Sequence, residues 1–444
     1  MANKEAIVEE TDRRVYRHKR RVRNQVICYI VLALVLVGLI VGSIIGIRKI
    51  MSVISDKKHA QELQKQLEEL SEQEEEAQPV VEGPSEVSEP PQETATNYLD
   101  EIVNSCISEM PLEDKVAGLF IITPEALTGT DIVVRAGDTT REKLGEHAVG
   151  GLVYFSQNIK DSAQLTEMLQ NTQSWRKYPV FLAVDEEGGK VSRVAESGLA
   201  DNVGSMGDIG SGGDAAAARE AGAAIGNYLS GYGFNLDFAP VADVIAEGNT
   251  TIGDRSFGTD PNLVAPMVSA MIEGIQSTKV SACMKHFPGI GDTTEDSHDG
   301  MAVTQKTLEE FSATDFPVYQ AGIAAGVDLI MVSHISVPNV TGDNTPSSLS
   351  GQMVNDILRG QLGYQGIVVT DAMNMGAITE YYTADEAAVK ALQAGVDMIL
   401  MPEDFGIAYS GVLDAVNNGT LTEERINESL QRIYRIKYKD KVEE

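Results

Sequence analysis

A (β/α)8 barrel of the TIM type, an α/β fold, is what residues 98–444 predict. Three observations lead there. Short apolar runs recur along this stretch, there are eight of them, and longer amphipathic or Gly/Ala-rich segments separate them. Runs of this length, bounded by turn signals, suit strands buried on both faces of a parallel sheet. Eight such units in a stretch of this size fall within the range of one barrel with insertions.

The elements ahead of the barrel come first in the chain. Residues 1–24 form a basic segment, expected in the cytoplasm. Residues 25–47 (QVICYIVLALVLVGLIVGSIIGI) carry no charge. As a helix they reach ~34 Å at 1.5 Å per residue, enough to cross a bilayer core of ~30 Å. A cleaved signal peptide is the alternative. Its apolar region would be shorter, and no small-residue cleavage pattern precedes Arg48. Arg13, Arg14, Arg17, Lys19, Arg20, Arg21 and Arg23 before the span outnumber Arg48, Lys49, Lys57, Lys58 and Lys65 after it. That bias places the N-terminus inside and the large acidic domain outside the cell membrane, as a single-pass protein. Residues 48–97 form a neck and linker. Ala60, Leu63, Leu67 and Leu70 have helical spacing over barely two heptads, which leaves a dimerising stalk and a plain polar neck both open. Residues 78–97, rich in Pro, Glu, Ser and Thr, read as an unstructured linker.

Within residues 98–444 the runs are Gly118–Thr123, Gly150–Phe155, Val180–Asp185, Asn235–Pro240, Ser281–His286, Asp328–His334, Gly366–Asp371 and Asp397–Pro402. Helices are expected between them, among others at Ala215–Tyr232, Asn262–Thr278, Thr307–Ala325 and Thr383–Ala394. An open doubly wound sheet is the rival arrangement. Its dinucleotide-binding form is weakened because no Gly-rich phosphate fingerprint follows the first run.

The whole chain of 444 residues carries 66 acidic against 35 basic side chains, a net charge of −31. This argues against nucleic-acid binding, which needs a basic footprint. Cys28, Cys106 and Cys283 cannot build a disulfide framework, and no Cys/His cluster suggests zinc. The chemical information sits at the ends of the runs. Asp185, Lys285, His286, His334 and Asp371 all fall at the C-terminal end of a predicted strand. Active sites of this fold lie at that face, so ionisable ends arriving together point to one.

Five segments carry a resemblance: VDEEGGKVSR (Val184–Arg193), NLDFAPVADV (Asn235–Val244), GDRSFG (Gly253–Gly258), KHFPGIGDTTEDSHDG (Lys285–Gly300) and VVTDAMNMGAI (Val368–Ile378). Together they resemble glycoside hydrolase family 3, and within it the β-N-acetylglucosaminidase branch, over essentially all of residues 98–444. The resemblance implies that Asp371 is a catalytic nucleophile and that Asp296 and His298 form an acid/base pair. It assigns sugar binding to Asp185, Arg193, Arg255, Lys285 and His286. The chemistry suits these residue types. A carboxylate at the barrel mouth can attack an anomeric carbon, and a histidine titrating near neutrality can protonate a leaving oxygen and then activate water. For Asp237, Asp243 and His334 a structural and a functional role stand side by side.

Two features bear on the branch. Where the family usually reads KHFPGHG, this chain has Ile290. After the eighth run there is room for closing helices, but not for the second domain from which the β-glucosidase branch often draws its acid/base. The implied function is a retaining exo-β-N-acetylglucosaminidase acting on GlcNAc-β-1,4-MurNAc fragments of peptidoglycan, with no metal or cofactor. A phosphorylase on the same linkage is an alternative, because a histidine acid/base repels phosphate less than a carboxylate does. A catalytically silent wall-binding module is another.

Overall fold

Eight strands run parallel and close on themselves in chain order. The computed structural model describes residues 92–246, 249, 251–293 and 300–439. The strands are β1 (Phe120–Ile122), β2 (Gly151–Tyr154), β3 (Phe181–Val184), β4 (Leu236–Asp237), β5 (Ser281–Phe287), β6 (Leu329–Val332), β7 (Ile367–Thr370) and β8 (Ile399–Leu400). Their spatial order is β8-β1-β2-β3-β4-β5-β6-β7. A parallel bridge between Val369 and Met398 joins β7 to β8 and completes the ring. Each strand lies in one of the eight apolar runs, and β5 extends one residue past its run. Every strand residue is buried. That is why the runs lack a polar alternation: both faces of a barrel wall are covered.

Helices lie between the strands. α1 (Gln92–Glu109) begins inside the stretch read as a linker. α2 (Ser162–Trp175), α3 (Ala215–Tyr232) and α4 (Pro261–Gln276) follow. Asp161, Asp214 and Asp260 cap these three N-termini through side-chain oxygens, as a helix start requires. α3 and α4 pack backbone against backbone. A methyl at Gly222 would run into Met271 O, and one at Gly274 into Arg219 O. The helix expected at Thr307–Ala325 is two helices instead, Leu308–Ala313 and α5 (Phe316–Ala324). Asp315 between them is buried and its carboxylate accepts from Lys306 Nζ at 2.7 Å. Pro317, which has no N–H, opens the second helix, where that loss is harmless.

α6 (Ala384–Ala394), α7 (Phe405–Asn417) and α8 (Glu423–Tyr438) close the fold. α8 seals the end where the strands begin. Its Lys437 Nζ donates to Gly150 O at 2.7 Å, just before β2. Its Arg432 pairs at 3.0 Å with buried Asp397, just before β8. Arg359 also reaches Asp397, at 2.5 Å. The opposite end, where the strands finish, is left for chemistry.

Among the described residues no helix is long and apolar enough to cross a membrane. The basic segment 1–24, the span 25–47 and the neck lie outside the described residues.

Candidate active site

The ends of the strands surround a cavity of about 420 Å³. Asp185, Arg193, Arg255, Lys285, His286 and Asp371 all line it. These are six of the eight residues expected from sequence. The other two, Asp296 and His298, lie outside the described residues. Thr293, close before them in the chain, lines the cavity.

Each side chain is delivered by the element before it. Asp185 follows β3 and Asp371 follows β7, so both carboxylates emerge where their strands end. Lys285 and His286 sit in β5, at an irregularity in its register against β6. After Asp185 the chain makes a short hairpin, Glu186–Gly188 against Val191–Ser192, and Arg193 begins the turn of helix beyond it. Buried Glu186 locks this turn: its carboxylate accepts from Val194 N at 2.8 Å, Ala195 N at 2.9 Å and Tyr228 Oη at 2.9 Å. The Arg193 guanidinium lies over the Phe155 ring, 6.0 Å from its centroid. Its buried Nε has no hydrogen-bond partner among the described residues.

Four charges are joined end to end. Asp185 Oδ1 accepts from Lys285 Nζ at 2.7 Å. The same Nζ lies 2.7 Å from Glu187 Oε1. Glu187 in turn takes both prongs of Arg255, Nε and an Nη, at 2.8 Å each. Glu187 is 1% exposed. Burial alone would push its carboxyl up, but Lys285 and Arg255 outweigh it and hold the pKa at about 2. Burial would likewise lower the Lys285 ammonium, and Asp185 and Glu187 raise it instead. The motif VDEEGG contained Glu187, yet sequence reasoning assigned it no role. Its partners come from a strand, β5, and from the turn that carries Arg255, both distant in sequence, and only folding reveals them.

His286 has a partner of its own. Its Nδ1 lies 2.7 Å from Oδ2 of fully buried Asp243. A carboxylate accepts, so the proton sits on Nδ1 and the Nε2 edge is fixed in orientation. The other oxygen of Asp243 accepts from Ile290 N at 2.8 Å. Asp243 therefore holds the imidazole from behind. Ile290 itself lines the cavity, while its backbone does the anchoring.

Asp371 is held by its own neighbours. Its amide donates to Val332 O at 2.8 Å, and its Oδ1 accepts from Ala372 N at 2.8 Å. Buried His334 donates from Nε2 to Ala372 O at 3.0 Å, and its Nδ1 is 2.8 Å from Ser348 Oγ. Burial raises the Asp371 carboxyl. His286 and His334, with the Ala372 amide and Lys285, outweigh that and keep it below its ordinary value. His334 thus acts behind the cavity wall. So does Asp237, which is fully buried and accepts from Glu186 N at 2.9 Å. Burial keeps its carboxyl well above the ordinary range.

The cavity thus presents a carboxylate poised to stay ionised, beside a row of fixed donors and acceptors. Among the described residues no group of three or more His, Cys, Asp or Glu side chains is placed to hold a metal ion. The arrangement suits a polyhydroxylated ligand and attack by oxygen on it.

Comparison with known proteins agrees with this geometry. Residues 111–436 match the model of the glycosyl hydrolase family 3 N-terminal domain. The chain is 32% identical over 327 residues to the beta-hexosaminidase A of Pseudoalteromonas piscicida, covering 67% of this chain and 54% of that protein. It is 32% identical over 280 residues to a beta-hexosaminidase of Stenotrophomonas maltophilia (strain K279a), covering 62% and 81%. Among solved structures, a glycoside hydrolase family 3 beta-N-acetylglucosaminidase from Paenibacillus sp. str. FPU-7 superposes with a TM-score of 0.68 at 35% identity. That match covers 76% of this chain and 64% of the other. The chain therefore spans little more than half the length of the Pseudoalteromonas relative and less than two thirds of the Paenibacillus one. The fold, the cavity and these matches agree: the chain belongs to glycosyl hydrolase family 3.

Proposed function

We propose that this protein is a retaining exo-β-N-acetylglucosaminidase. Asp371 attacks the anomeric carbon of a terminal β-linked GlcNAc and forms a glycosyl-enzyme. His298, oriented by Asp296, protonates the leaving oxygen and then activates water. Asp185, Lys285, His286, Arg193 and Arg255 bind the sugar. One observation carries the reading: Asp371, held ionised, shares one cavity with all five expected sugar-binding side chains. The beta-hexosaminidase relatives and the beta-N-acetylglucosaminidase structure support the choice of sugar. The finer substrate, GlcNAc-β-1,4-MurNAc fragments of peptidoglycan, rests on the resemblance and on an expected place outside the cell membrane.

The test is proton NMR of hydrolysis of a chromogenic β-GlcNAc glycoside, beside the β-glucoside and a GlcNAc–MurNAc disaccharide. First appearance of the β-anomer of GlcNAc supports retention; the α-anomer would refute it. Asp371→Asn should lower turnover by about 1000-fold or more, and His298→Ala by ~100–10,000-fold. Normal turnover in either removes its assigned role. Formation of GlcNAc 1-phosphate in phosphate buffer would replace hydrolysis with phosphorolysis.

A further inference from the structure

We infer that Glu187 is a specificity-determining residue: its buried carboxylate balances Lys285 and Arg255, so the cavity takes an uncharged sugar and excludes an anionic one. This rests on reading the cavity as the subsite for the terminal sugar. The observation is the chain of four charges, Asp185–Lys285–Glu187–Arg255, whose links are all 2.7–2.8 Å. Two acids face two bases, and the ends are acid and base. Among the described residues on the cavity lining the balance also holds, because Asp185, Glu187 and Asp371 face Arg193, Arg255 and Lys285. His286 stands outside this chain, its Nδ1 2.7 Å from buried Asp243.

Balance does not make these cations useless for binding. An ammonium has three N–H donors, and Asp185 and Glu187 engage two of them. A guanidinium has five, and Glu187 engages two from Arg255. The remaining donors can point to hydroxyls. A phosphate or carboxylate group gains little from a cation already neutralised at contact distance, yet still sheds its own water on entering. Without Glu187 the same two cations would share one carboxylate, and a buried excess charge of +1 would face the ligand. Charge-assisted hydrogen bonds to an anion would then be available. Glu187 is thus a positioning residue for Lys285 and Arg255 and, through their charge, a filter.

Glu187→Gln keeps the side chain's shape and removes its charge. Calorimetric titration of the full chain with inorganic phosphate, GlcNAc 6-phosphate and GlcNAc reads the effect without any need for turnover. The wild type should bind GlcNAc better than its 6-phosphate. The variant should gain about tenfold or more in affinity for phosphate and for GlcNAc 6-phosphate. A folded variant with unchanged anion affinity overturns the inference, since a merely structural role would weaken all ligands alike. Glu187→Asp, which keeps the charge, should show no gain. If Glu187→Gln does not fold, Arg255→Gln reads the same balance with opposite sign. It should shift preference from GlcNAc towards glucosamine, whose ammonium meets the excess negative charge; an unchanged preference overturns the inference. Failure to hydrolyse GlcNAc glycosides would remove the catalytic reading alone. A gain in phosphate binding by a protein that never binds GlcNAc would remove the sugar and keep the charge balance.

Discussion

Glu187 and Asp371 are both carboxylates held below their ordinary pKa, and the consequences of that differ. For Asp371 the result bears on the proposed chemistry: the carboxylate proposed as nucleophile stays charged at neutral pH. For Glu187 the result is stability that depends on pH. Its folded-state value is about 2, against ~4.3 for an unfolded glutamate. A lowered pKa stabilises the fold above the unfolded value. The contribution fades as pH falls from ~4.3 towards about 2, because the unfolded chain then takes up the proton first. The shift corresponds to a contribution on the order of 3 kcal/mol at neutral pH. Glu187→Gln cannot make this contribution at any pH. Denaturant unfolding should therefore separate the two proteins clearly at about pH 7, and the gap should narrow as pH is lowered to about 3. A gap that stays constant with pH would mean that Glu187 acts through packing and not through charge.

At the scale of elements, the contact of α3 with α4 is set by glycine. Gly222 and Gly274 let the two backbones approach, and a single methyl at either would meet a carbonyl oxygen and not a flexible side-chain end. Gly274→Ala should cost ~1–3 kcal/mol, as overpacked cores do, despite the better helix propensity of alanine. Thermal unfolding should show a lower Tm, and kcat should hold at temperatures where the variant is folded, because the contact is remote from the cavity. A Tm equal to or above wild type would show that the helices slide apart freely. The same scale explains what the sequence could say. Strands were legible because burial on both faces leaves an uninterrupted apolar signature, as in LIMV of β6 and IVVT of β7. The break at Asp315 was not, because it depends on Lys306 and on the path of the chain at Gly289, whose missing side chain makes room for the Asp315 carboxylate. Asp185, Lys285 and Asp371 were legible as polar ends of apolar runs. Glu187 lies beyond the strand, and the sequence separates it from Arg255 by 68 positions. Nothing local marks that meeting.

For the whole molecule, the charge and the apolar N-terminal run lead to opposite behaviour at a membrane. The net charge of −31 comes from the stretch after the basic N-terminal segment, and that acidic domain is repelled by anionic lipid headgroups and wall polymers, so its own charge does not hold it at a cell surface. Attachment by residues 25–47, proposed here from their length and lack of charge, would be hydrophobic and insensitive to salt. The two modes separate cleanly in an extraction experiment. The full chain should sediment with membranes, stay there through high-salt and alkaline carbonate washes, and come off only in detergent. Deleting residues 25–47 should move the activity to the soluble fraction without changing kcat/KM on a small chromogenic glycoside, because the barrel completes its own ring and seals its own floor through α8. Proteolysis of intact cells should remove the catalytic domain if it faces outward, as the excess of basic residues before the span predicts. Release by salt, or protection from the protease, would reject the anchored, outward-facing arrangement while leaving the chemistry of the cavity untouched.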